Sequence, residues 1–159
     1  MSKADLTRTS KRVNAEDGRF STNRSPFFPV GHMMARYYAR LNASLKPFGL
    51  DVPRWRVLVT LADGNPLTVS GIADESVVYL STMAKIINRM TTQGLVSTKT
   101  SRSDARSVEV TITEEGLRKL ESVREKVNHV WNEALRGITK TEAQLLNSLA
   151  VRIYDNLSP

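Results

Sequence analysis

The run from Ser81 to Gln93, STMAKIINRMTTQ, sorts two kinds of side chain at helical spacing. Met83, Ile86, Ile87 and Met90 fall on one side, and Thr82, Lys85, Asn88, Arg89 and Thr92 on the other. The first set can hold a helix on a protein core. The second offers hydroxyls, an amide and cations but no carboxylate, and these are the groups that hydrogen-bond base edges and phosphates in a duplex major groove. A second cluster follows at 100–116, TSRSDARSVEVTITEEG. Arg102 and Arg106 flank a polar loop that leads into the alternation Val108-Glu-Val-Thr-Ile112, so they sit at the tip of an expected β-hairpin. Arginines there suit the negative potential of a minor groove. Asp104 would face phosphate in that setting. Two residues before Arg106, it can instead accept hydrogen bonds from loop amides or pair with a guanidinium, fixing the loop and aiming an arginine. Without a duplex, the same features read as a solvated helix face and a turn with a weak exposed ion pair.

These residues need elements to position them. Apolar and aromatic residues recur from Gly31 to Lys46 at Met33, Tyr37, Leu41 and Leu45, a helix ended by Pro47 and Gly49. Before it, PFFPV at 26–30 places two phenylalanines between prolines, a segment expected to pack against another surface but not to start a helix. Asp51 can cap a second helix that has Pro53 in its first turn and Trp55, Val57, Leu58 and Leu61 on its apolar side. Asp63-Gly-Asn-Pro66 stops it. A brief extended piece, Leu67–Val69, leads to a short helix holding Ile72 and Ala73, then to the helix of 79–94, which Gly94 ends. Strands are expected at Leu95–Thr100 and Ser107–Ile112. Thr113 with Glu114 and Glu115 opens a long helix carrying Leu117, Leu120, Val123, Val127, Val130, Trp131 and Ala134. Thr139-x-x-Glu142 is a capping box for a last helix with Leu145, Leu149, Ile153 and Leu157 in one row. The expected class is mainly α with a small β-wing, in the order α-α-β-α-α-β-β-α-α. Two short helices followed by a hairpin are the outline of a winged helix-turn-helix, whose second helix enters the major groove.

The bulk properties fit that outline. The chain has 159 residues, enough for one compact domain, and a net charge of +7, which suits a polyanionic partner or simply keeps the protein soluble. It has no cysteine, which excludes disulfides, thiolate zinc sites and thiol redox sensing. No apolar run is long enough to span a bilayer and no signal-peptide pattern opens the chain, so a cytoplasmic location is expected. Residues 1–25 carry Lys3, Arg8, Lys11, Arg12, Arg19 and Arg24 with few large apolar residues, and read as a flexible basic arm that either touches DNA or is only a disordered terminus. His32 and His129 lie on separate helices with no triad or metal spacing, and there is no Gly-rich phosphate loop. No enzyme, cofactor or metal is expected.

Together, GIADES at 71–76, YLSTMAKIINRMTTQGLV at 79–96 and SDARSVEVTITEEG at 103–116 resemble the MarR family of bacterial transcriptional regulators over roughly residues 31–157. The signature lies in Ser81-Thr82, in the spacing from Ala73 to Gly94-Leu-Val96, in Asn88-Arg-Met90, and in Asp104-x-Arg106 followed by Thr113-x-x-Gly116. Ala84 and Lys85 stand where a serine and an arginine are common, and Tyr79 holds the usual helix-cap position. The resemblance implies a homodimer built from helices at both termini (26–50 and 117–159), with residues 51–116 as the winged helix-turn-helix. The partner it implies is double-stranded DNA at a pseudo-palindromic operator. Ser70, Ser81, Thr82, Lys85, Asn88, Arg89, Lys99, Arg102, Asp104 and Arg106 are the residues expected at that DNA. It further implies a repressor released by a small ligand, often an aromatic acid or its thioester, held between the two parts. By position, His32, Arg36, Tyr37, Arg40, Trp55 and Arg56 are candidates to bind it, with the arginines pairing a carboxylate and the aromatics stacking on a ring. The alternative reading makes Tyr37 and Trp55 plain core and the arginines phosphate contacts. The competing readings are a sequence-neutral architectural DNA-binding protein without an effector, and a winged helix turned to protein contact.

Overall fold

The computed structural model describes residues 25–101, 104 and 106–157. Helix α1 spans Phe27–Leu45 and ends in a 3-10 turn at Lys46–Phe48. Helix α2 (Val52–Asp63) follows, then strand β1 (Leu67–Thr68), helix α3 (Val69–Ser76) and helix α4 (Leu80–Thr92). Strands β2 (Val96–Thr100) and β3 (Val108–Ile112) form the hairpin, and helices α5 (Glu114–Ala134) and α6 (Lys140–Leu157) complete the chain. The order is the one the sequence predicts. The basic arm at 1–24 and Arg102 lie outside the described residues.

One expectation is overturned at the first helix. Phe27 and Phe28 are helical, with Pro26 at the N-cap and Pro29 inside the first turn. A proline costs a helix its i−4 hydrogen bond only where that bond would exist. The first amides have no intrahelical partner, so both prolines are tolerated there.

Local chemistry sets the other boundaries, at Asp51 and Gly94 as the sequence suggests and at Thr68 without such a signal. The Asp51 carboxylate accepts from the Arg54 amide at 3.0 Å, capping α2. Thr68 Oγ1 accepts from the Gly71 amide at 3.1 Å, capping α3. At the end of α4, Gly94 adopts φ +70°, and the amides of Gly94 and Leu95 donate to the carbonyls of Thr91 and Met90. This double closure needs a left-handed residue, which glycine supplies without strain. The turn between α3 and α4 has no such help: Val77 stands at φ +53°, which costs a β-branched side chain about 1–2 kcal/mol.

The sheet is antiparallel with β3 between β1 and β2. Leu67 pairs with Val110, and Val96 with Ile112. The core gathers Leu41 and Leu45 of α1, Val57, Leu58 and Leu61 of α2, Ile72 of α3, Met83, Ile87 and Met90 of α4, Val110 of β3, and Val123 of α5. Each such side chain contributes about 1.5–3 kcal/mol by leaving water. α1 packs chiefly along α5. No residue of α6 is buried.

Candidate nucleic-acid interface

The candidate recognition element is α4. Met83, Ile87 and Met90 are buried and Ile86 is half-buried, while Ser81, Thr82, Lys85, Asn88 and Arg89 are all exposed. The apolar side packs chiefly against α3 and β2, which leaves the polar side exposed. Ser70 is exposed at the start of α3, its hydroxyl 3.1 Å from that of Thr68.

The wing is held at both ends. At its base, Thr113 Oγ1 donates to the Gly94 carbonyl at 2.6 Å and accepts from the Gly116 amide at 3.0 Å. One hydroxyl thus ties the end of α4 to the start of α5. A Cβ at Gly116 would collide with the Leu95 carbonyl oxygen and with Ile112, which explains a glycine three residues after the threonine. The Ile112 amide also donates to Asn65 Oδ1 at 3.2 Å, fastening the hairpin to the loop after α2.

At the tip, the Asp104 carboxylate accepts from the Arg106 amide at 2.9 Å and from the Ser107 hydroxyl at 2.7 Å. The hydroxyl bond first, then the amide bond, hold its carboxyl below the ordinary value of 3.8. Of the two roles considered for Asp104, the bonding to a loop amide is the one observed. The Arg106 side chain is left exposed on the closed turn. Lys99 is across from Glu109 in the register and pairs with it, Nζ to Oε2 at 3.2 Å, while the Ser101 hydroxyl donates to Glu109 Oε1 at 2.7 Å. The Lys99 charge is therefore partly compensated within the wing itself.

Comparison with known proteins places this geometry. The profile of the MarR family matches residues 48–107, the span from the end of α1 through the wing tip. The HTH-type transcriptional repressor IacR of Pseudomonas putida is 36% identical over 132 residues, covering 83% of this chain and 79% of that protein. The chain belongs to the MarR family. It is a DNA-binding transcriptional regulator of that family. Two solved structures share the fold. A MarR-family regulator from Silicibacter pomeroyi superposes with a TM-score of 0.77 at 22% identity, covering 92% of this chain and 97% of that one. BpsR of Bordetella bronchiseptica, described with 6-hydroxynicotinic acid as a regulator of its DNA binding, gives 0.78 at 17% identity, covering 87% and 99%.

Within this family member, the residues considered for a ligand divide into two groups. His32, Arg36 and Arg40 share one exposed stripe of α1, four residues apart. Arg40 Nη1 donates to Glu133 Oε2 of α5 at 3.2 Å. Tyr37 and Trp55 are half-buried and pack against the core, and Arg56 is half-buried on α2. The rings of Tyr37 and Tyr38 lie 5.7 Å apart at 50°. Burial, and secondarily Tyr38, push the Tyr37 phenol above its ordinary 10.0, so it stays a neutral donor.

A shallow cleft of about 160 Å³ lies elsewhere, lined by Asp51, Arg54, Thr82, Lys85, Ile86 and Arg89. Arg54, which sequence reasoning passed over, lines this cleft beside the polar face of α4. Its Nε donates to Asp51 Oδ1 at 3.1 Å and its Nη1 to Gln93 Oε1 at 3.2 Å, bracing the start of α2 against the end of α4. Asp51-x-x-Arg54 was legible as a capped first turn, but Gln93 is distant in sequence and carried no signal. Among the described residues no group of three or more His, Cys, Asp or Glu side chains could hold a metal ion, and no helix is long and apolar enough to cross a membrane.

Proposed function

We propose that the protein is a dimeric, sequence-specific repressor that binds a pseudo-palindromic duplex site and leaves it when an aromatic acid, or the thioester of one, binds. The observation that carries the DNA reading is the outer face of α4: Ser81, Thr82, Lys85, Asn88 and Arg89 are all exposed beside a buried Met83-Ile87-Met90 row, with no carboxylate among them. Such a face gains hydrogen bonds and counterion release at a duplex and has nothing that the phosphates repel. In this reading Ser70 and Lys99 meet the backbone. Arg106 enters the minor groove, and Asp104 shapes the tip that presents it.

Dimerisation is supported by α6, which buries none of its residues although Leu145, Leu149, Ile153 and Leu157 form one apolar row. A two-fold dimer covers that row and sets two recognition helices one duplex turn apart. Ligand control is supported by the aromatic acid described for BpsR. Arg36 and Arg40 on the exposed stripe offer cations to a carboxylate, and His32, Tyr37, Trp55 and Arg56 complete the set proposed to hold the ligand.

Selection of bound fragments from a random duplex pool tests the reading. The expected product is an inverted repeat with half-site centres about 10 base pairs apart. Aromatic acids and their coenzyme A thioesters, added one by one to that complex, are expected to include one that releases it. Equal retention of unrelated duplexes would leave the sequence-neutral architectural reading in its place.

A further inference from the structure

The turn between α3 and α4, with the first residue of α4, goes against local preference in three separate ways. Val77 holds a left-handed backbone at φ +53° and ψ +50°, a conformation in which glycine or asparagine is expected and a β-branched residue is strained. Tyr79 takes the N-cap of α4, where a serine, threonine or aspartate would satisfy a free amide, and its side chain makes no capping hydrogen bond. Val77, Tyr79 and Leu80 are 79%, 87% and 55% exposed, so large apolar surface stands in water next to a helix start. Departures from local rules that bring no evident structural gain cluster at functional places.

The neighbours say what that place faces. Leu80 is the first residue of α4 and is followed directly by exposed Ser81 and Thr82. The first turn of a recognition helix is the part that meets base edges. Every hydrogen-bonding group in the major groove suits the hydroxyls, amide and cations of α4. The one apolar group the groove displays is the C5-methyl of thymine.

We propose that Leu80 contacts thymine methyl groups and makes the protein select thymine at one position of each half-site. The inference rests on the placement of α4 in the major groove and adds a specificity element outside its polar face. After the Val77 turn, Val78 packs against the core while Tyr79 and Leu80 stay exposed.

The test uses the full-length protein and the duplex it selects from a random pool. Each thymine of the site is replaced singly by deoxyuridine, which keeps every hydrogen-bonding edge and removes only the methyl. Binding is expected to weaken about fourfold at one position per half-site, the effect of exposing one buried methyl-sized group. Leu80→Ala is expected to bind the thymine and uracil duplexes equally, with unchanged thermal unfolding because the side chain is half in solvent. Equal wild-type affinity for all uracil-substituted sites would overturn the inference while leaving DNA binding intact. So would an unchanged thymine preference in Leu80→Ala, or a Leu80→Ala variant whose only change is its state of association. If no site is selected at all, the underlying base-reading role fails together with this one.

Discussion

Helices α4 and α6 are both amphipathic and both present one face to solvent, but the faces are opposites. In α4 the apolar side is consumed by the core and the exposed side is polar and cationic. In α6 the apolar row itself is exposed, from 39% at Ile153 to 74% at Leu157. A surface like the first gains little from another protein and much from a polyanion. A surface like the second gains from leaving water, at roughly 25 cal/mol per Å² covered. Two helices of similar local pattern thus imply different partners, and the difference lies in which side the fold has already used.

The contrast breaks most visibly at Leu149. Leu149→Glu sets an unpaired carboxylate in the apolar row and is expected to weaken dimerisation by about 3–5 kcal/mol, measured by sedimentation over a concentration series. A dimer that persisted at wild-type concentrations would remove α6 from the interface. On the other surface, Arg106→Ala is expected to cost operator binding about 1–3 kcal/mol. The sedimentation behaviour and melting temperature should not change. Equal affinity of mutant and wild type would take the minor groove away from the wing.

The smallest effect compares how each region holds its own ends. Glu142 Oε2 accepts from the Thr139 amide and hydroxyl, each at 2.8 Å, at the start of α6. The amide bond first, then the hydroxyl bond, hold the Glu142 carboxyl below its ordinary 4.5, as the Ser107 hydroxyl and then the Arg106 amide do for Asp104 below 3.8. A carboxyl whose pKa is depressed by folding contributes stability above its ordinary value, and loses that contribution as pH falls through the depressed one. Both caps are therefore intact near neutrality and loosen only in acid, as pH falls below the ordinary values of 4.5 and 3.8. Amide chemical shifts of Thr139 and Arg106, followed from about pH 6 to about pH 3, are expected to move late in that titration. Shifts that moved fully above about pH 5 would contradict the hydrogen bonds described.

Much of this architecture was readable in the chain because its signals are local. Thr113, Asp51 and Thr139-x-x-Glu142 each named a helix start that the structure realises with the anticipated hydrogen bond. The polar face of α4 was readable because helical periodicity depends only on spacing. The start of α1 was misread because proline was taken as a breaker without regard to its position in the first turn. The partial neutralisation of Lys99 could not be read, since the pairing with Glu109 exists only once β2 and β3 take their register. The Arg54 brace to Gln93 joins elements 39 positions apart and depends on how α2 crosses α4.

The residue pattern alone therefore settled the element order, the caps, the family and the division of α4 into two faces, all consequences of spacing within a few residues. Packing decided the rest: which amphipathic helices spent their apolar side in the core, and which cations remained available. It also decided that an aspartate at the wing tip serves the loop. Each of these depends on a neighbour brought in from a distant part of the chain, or on a backbone turn closed in three dimensions, and spacing along the sequence carries no term for either.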